Sequence, residues 1–183
     1  MAKVEITPSH RMDSIKEYYF SKKNREIAEL RKAGRDIISL GIGSPDMPPA
    51  QSVIDRLGKE ALRPDVHAYQ PYNGSELLRK AYADWYEKWY NVKLDPKSEV
   101  LPLLGSKEGI MHICMAFLDE GDKVLVPNPG YPTYRAAVTL AGGEVLEYHL
   151  NAANGFYPDF DEIEKEDLQN VKLMFVNYPN MPT

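Results

Sequence analysis

From residue 100 onward the chain alternates between short apolar runs and segments of helical period, and this alternation limits its fold more than any other feature. The apolar runs cover 100–104, 123–127, 144–150 and 171–177, and the helical segments lie near 107–119, 132–141 and 159–168. Such alternation predicts an α/β architecture, with a mostly parallel sheet covered by helices. Within 107–119, Ile110, Ile113, Cys114 and Phe117 keep helical spacing, so they should share one face. Gly121 follows as a stop, Pro132 suits a first helical turn, and Gly142-Gly143 ends the helix that Pro132 opens. In open parallel sheets ligands gather beyond the carboxyl ends of the strands. Gly105, Tyr131 and Asn177 all fall at or just after expected strand ends.

The first hundred residues are organised differently. Residues 13–33 read as a helix carrying Ile15, Tyr18, Tyr19, Ile27 and Leu30 between charges, with Gly34 as its stop. Ile37-Ile38-Ser39-Leu40 reads as a short strand, and the Gly- and Pro-rich stretch 41–50 as an irregular loop. A helix is expected over 51–62. Asn73 followed by Glu76 has the spacing of a capping box. The next helix places Leu78, Ala81, Tyr82, Trp85 and Trp89 on one stripe, which should be core.

Composition excludes several classes. The 183 residues are 43% apolar and 27% charged, ordinary for a globular protein, and long enough for one domain with a sizeable core. The net charge of −5, without a basic stripe, disfavours nucleic acid as a partner. No apolar run approaches the ~18 residues of a membrane span, and residues 1–11 contain no hydrophobic signal core. The single cysteine, Cys114, leaves no internal disulfide and fits a reducing cytosol. Its place on an apolar helix face marks it as a small core residue rather than a nucleophile. No metal-ligand spacing stands out.

Two short segments carry chemistry. Gly105-Ser106-Lys107 lies between an apolar run and a helical one, so its backbone N–H groups open a helix and suit a phosphate. Pro129-Gly130-Tyr131-Pro132 follows the next apolar run and sets an aromatic ring on the same edge of a parallel sheet. A phosphate cradle beside an aromatic ring describes a site for a flat phosphorylated heterocycle.

Together with Leu40-Gly41-Ile42-Gly43-Ser44-Pro45-Asp46, Tyr69-Gln70-Pro71-Tyr72-Asn73-Gly74 and Asn177-Tyr178-Pro179-Asn180-Met181-Pro182-Thr183, these segments resemble the class I/II, fold-type I aminotransferases, which use pyridoxal 5′-phosphate (PLP). The resemblance runs along essentially the whole chain. It implies a three-layer αβα sandwich with an N-terminal helical arm. Residues 1–45 would form the arm and a small-domain segment, and 46–183 the N-terminal part of the large PLP-binding domain. It also implies that this chain is the N-terminal part of a longer enzyme, one that moves an amino group between an amino acid and a 2-oxo acid and works as a cytoplasmic homodimer. A carbon–sulfur lyase on the same scaffold and a non-catalytic fragment are the alternatives.

By that resemblance the backbone at Gly105, Ser106 and Lys107 holds the cofactor phosphate, and Tyr131 stacks on the pyridine ring. Tyr69 reaches the phosphate of the neighbouring subunit's cofactor. Gly43 approaches the substrate α-carboxylate, where a side chain would block access. The Schiff-base lysine lies beyond Thr183, so Lys107 belongs to the phosphate turn and no catalytic residue is assigned. In one respect the sequence departs from the family: Met181 occupies the position of the asparagine that donates to the ring hydroxyl oxygen. A thioether cannot donate, so either Asn177 or Asn180 substitutes or the contact is absent.

Overall fold

The computed structural model describes residues 6–13, 15, 17–41 and 43–183. Met1–Glu5, Ser14, Lys16 and Ile42 lie outside the described residues. With them lie the first part of the N-terminal segment, two positions of the helix expected over 13–33, and one position of the 40–46 motif. The chain divides into two units, one formed by Met1–Lys16 and Leu103–Thr183, the other by Glu17–Pro102.

The first unit is built on strand β1 (Lys123–Asn128). Its Val124, Leu125 and Val126 are all buried, because the strand is covered on both faces. Strands β2 (Glu144–His149) and β3 (Val171–Met174) flank it in the order β2-β1-β3, and both pair with it in parallel. Leu125 lies opposite Leu146 on one side and Met174 on the other. The period-2 alternation of a strand then divides the core. Val124 and Val126 pack with Cys114, Leu118, Tyr134, Ala137 and Val138, which come from helix α4 (Ser106–Phe117), its C-cap and helix α5 (Pro132–Ala141). Leu125 packs on the opposite face with Tyr148, Leu150 and Ile163, the last from the short helix α6 (Phe160–Ile163). Helices on both faces of a parallel sheet make this unit a three-layer α/β arrangement.

Local signals set most of these boundaries. Pro132 opens α5 and Gly142 closes it in the left-handed region at φ 92°, its N–H returning to Thr139 O. Cys114 is fully buried in the core, as its helical position suggests, and burial pushes its thiol pKa up. Ile110 packs against the same core, whereas Ile113 and Phe117 stay largely exposed.

Three expected elements differ. Val100–Leu104 forms no strand: it pairs with none of β1, β2 and β3, and Pro102 has no N–H to give a ladder. The segment 159–168 is helical only over Phe160–Ile163, capped by the Asp159 carboxylate on Glu162 N–H at 3.2 Å. Six of the nine residues 159–167 are acidic and only Ile163 enters the core, so little burial supports a longer helix. β3 stops at Met174, although Phe175 N–H still donates to Leu125 O at 2.9 Å.

The second unit holds α1 (Tyr19–Lys32), α2 (Gln51–Ala61) and α3 (Glu76–Tyr90). Gly34, at φ 80°, ends α1 as its position suggests. Ile37–Leu40 has no regular structure, since no strand lies beside it among the described residues of this unit. α3 is capped by Ser75, whose hydroxyl accepts from Leu78 N–H at 3.2 Å, and not by Asn73. Glu76 is therefore the first helical residue and cannot play the third-position role of a capping box. The stripe Leu78, Ala81, Tyr82, Trp85 and Trp89 is not buried; Arg79 and Ala83 are the buried residues of α3. Trp85 instead meets Tyr86 and Tyr90 edge to face at 5.4 and 5.2 Å.

Candidate active site

Gly105 turns the chain into α4 at φ 94° and ψ 159°, a left-handed conformation natural to glycine. As N-cap it brings no side chain, so no side-chain bond caps the first-turn N–H groups at Ser106 and Lys107. Glu108, in the same turn, accepts from Leu104 N–H at 2.6 Å, one residue before the cap. The carboxylate thus ties down the approach to the helix. Gly109 lets Leu103 lie against the next turn, for a Cβ there would stand 2.4 Å from Leu103 Cδ1.

The exit of β1 carries the ring. Gly130 packs so tightly on β1 that a Cβ would lie 2.4 Å from Pro127 O. Tyr131 follows as the N-cap of α5 and packs half-buried against the core. Its ring meets Tyr134 edge to face at 5.7 Å, and Tyr134 stacks on Phe175 at 4.6 Å with 12° between planes. Burial, with Tyr131 nearby, raises the Tyr134 hydroxyl pKa. Behind it, burial and then Tyr178 push the Tyr148 hydroxyl up to about 12, and that group donates to Phe175 O at 2.6 Å. The ladder Tyr131–Tyr134–Phe175 is therefore packed ring on ring, and the Tyr148 hydroxyl holds the backbone of its last member.

Lys107 joins the two segments. Its Nζ stands 5.8 Å from the Tyr131 ring centroid, so the α4 N-terminus and the ring lie within one lysine side chain of each other. The loop beyond β3 approaches the same place. Asn180 Nδ2 donates to Pro129 O at 3.2 Å and to Thr183 Oγ1 at 2.7 Å. Asn177 Nδ2 donates to Pro179 O at 3.1 Å, and Met181 is exposed. Gly105, Ser106, Lys107, Tyr131 and Asn180 are thus brought together at one end of the sheet, with Asn177 on the same loop as Asn180. Gly43 and Tyr69 belong to loops of the 17–102 unit, where Tyr69 is fully exposed. Sequence reasoning missed Glu108, Tyr134 and Phe175. The first had a signal in its place three residues after the capping glycine, while the ring ladder joins residues far apart in sequence.

The sequence profile of aminotransferase class I and II matches residues 35–183. The chain belongs to that family. Class I and II aminotransferases use PLP, and the donors present fit it: an uncapped helix start for an anion and a braced ring for a flat heterocycle. An LL-diaminopimelate aminotransferase of Moorella thermoacetica is 50% identical over 175 residues, covering 96% of this chain and 45% of that protein. One of Dehalococcoides mccartyi is 46% identical with the same coverage. Among solved structures, apo-BacF of Bacillus subtilis superposes with a TM-score of 0.90 at 39% identity, covering 98% of this chain and 46% of that one. An aspartate aminotransferase of Thermotoga maritima gives 0.87 at 28% identity, covering 96% and 46%. The chain therefore spans somewhat under half the length of these relatives, and its sheet and helices are those of the family's fold type I.

Proposed function

We propose that the whole protein is a PLP-dependent aminotransferase that moves an amino group between an amino acid and a 2-oxo acid. The observation that carries this reading is the meeting of the α4 start and the Tyr131 ring, bridged by Lys107 at 5.8 Å. In it, the N–H groups of Ser106 and Lys107, opened by Gly105, hold the phosphate. The helix dipole and the unpaired donors both favour a dianion there. Tyr131 supplies the ring surface. Bound PLP supplies an electron sink for bonds at the substrate α-carbon. Gly43 leaves room for the substrate carboxylate, and the full exposure of Tyr69 suits a residue that serves a second subunit's cofactor in a homodimer. Asn177 is the better candidate for the donor missing at Met181. Asn180 has both amide hydrogens engaged within the chain, and Asn177 has one free of the bond to Pro179.

We read residues 1–45 as arm and small-domain segment and 46–183 as part of the large domain. The single buried cysteine supports a cytoplasmic setting. The names of the two LL-diaminopimelate aminotransferases make LL-diaminopimelate the first amino donor to try. The test is a screen of amino donors against 2-oxoglutarate with the whole protein, with and without PLP. PLP-dependent transfer supports the reading, and PLP-independent or absent transfer across the panel overturns it.

A further inference from the structure

We propose that Asn180 is a positioning residue for the cofactor ring, clamping the exit loop of β3 onto the exit loop of β1 and so fixing Tyr131. The proposal rests on the reading of Tyr131 as the stacking surface. Both hydrogens of the Asn180 amide are directed within the protein, one to Pro129 O at 3.2 Å and the other to Thr183 Oγ1 at 2.7 Å. The first bond joins positions 51 apart in sequence and lies outside the sheet ladder. It falls where the β1 exit has few handles. Pro127 and Pro129 have no N–H, so this stretch is held largely through its carbonyls. Pro129 O lies two residues before Tyr131. The residue between them, Gly130, is pressed against Pro127 O too closely to admit a Cβ. Gly130 thus fixes the turn from the β1 side and Asn180 from the β3 side. Tyr134 braces the Tyr131 ring from a third direction at 5.7 Å.

Asparagine is required for its donor. Aspartate has the same shape but only acceptors when ionised, and would face the Pro129 carbonyl with a negative charge. The effect should reach the ring and spare the phosphate turn, since Gly105–Lys107 are set by α4 and by Glu108.

The experiment uses the apo form of the whole protein, titrated separately with PLP and with inorganic phosphate, as wild type, Asn180→Asp, Tyr131→Ala and the double variant. Asn180→Asp should weaken PLP about 3- to 10-fold, the worth of one lost hydrogen bond, and change the induced circular dichroism of bound PLP. Phosphate affinity should stay as in the wild type. In the Tyr131→Ala background the Asp substitution should have no further effect, because its path to the ring is gone. Losses that add in the double variant would overturn the clamp, since Asn180 would then act independently of Tyr131. Wild-type PLP affinity and dichroism in Asn180→Asp, with Tyr131→Ala impaired, would overturn it while leaving the stacking surface standing. An unimpaired Tyr131→Ala would remove the stacking reading and the clamp together. Loss of far-ultraviolet dichroism in Asn180→Asp passes the decision to Asn180→Ala, judged by the same criteria.

Discussion

At the scale of single residues, the site depends on one ring and one glycine. Tyr131 is half-buried, braced by Tyr134, and faced by the Lys107 ammonium. Tyr131→Ala in the whole protein should weaken PLP binding by about 5- to 150-fold, matching roughly 1–3 kcal/mol for stacking and burial of one ring. Tyr131→Phe should change it little, since the ring face is kept; equilibrium titration of the apo protein with PLP measures both. Gly130→Ala would force a Cβ to 2.4 Å from Pro127 O, so the backbone must move. A stability loss of about 1–3 kcal/mol is expected by chemical denaturation, accompanied by weaker PLP binding. Such close approaches are invisible in sequence. Gly130 reads there as an ordinary turn residue, and only the fold shows which carbonyl it meets.

At the scale of elements, the chain was legible wherever a boundary is locally encoded. Pro132 and Gly142 delimit α5, and the apolar run after Gly121 makes β1, because capping chemistry and continuous burial act within a few residues. Val100–Leu104 and Ile37–Leu40 read as strands in the sequence yet form none, because an apolar run becomes a strand only where the fold lays a partner alongside it, which is a non-local condition. The α3 stripe shows a related limit, for periodicity tells which residues share a face and not what covers it. α4 and α5 give a direct check on burial. Val138→Ala, at a fully buried position, should cost about 2–3 kcal/mol. Ile113→Ala, largely exposed on α4, should stay within about 0.5 kcal/mol; denaturation of both variants decides. The turn between α4 and β1 adds a pH signature. The Asp122 carboxylate accepts from Lys172 Nζ at 2.7 Å and from Asp119 N–H at 2.6 Å, and these bonds, Lys172 first, lower its pKa. A carboxylate lowered on folding stabilises above its unfolded pKa, near 3.9, and loses that contribution as pH falls through the lower folded value. Asp122→Asn should therefore be less stable than the wild type at neutral pH. The difference should close progressively below about pH 4, which melting curves across that range would reveal.

At the scale of the whole molecule, the chain spans somewhat under half of its relatives, and both of its described core clusters belong to the unit containing β1. The helices of the other unit show apolar side chains such as Val53, Leu57, Trp85 and Trp89 to solvent, and Tyr69 is fully exposed. The whole protein is expected to be a homodimer, and light scattering of the PLP-loaded form at micromolar concentration should give twice the subunit mass. The reading of the site as a cofactor cradle is tested most directly by a crystal structure of the whole protein with PLP. The phosphate is expected within hydrogen-bond distance of the Ser106 and Lys107 N–H groups, with the pyridine ring stacked on Tyr131. PLP bound with its phosphate away from the start of α4, or with its ring out of contact with Tyr131, would contradict that reading.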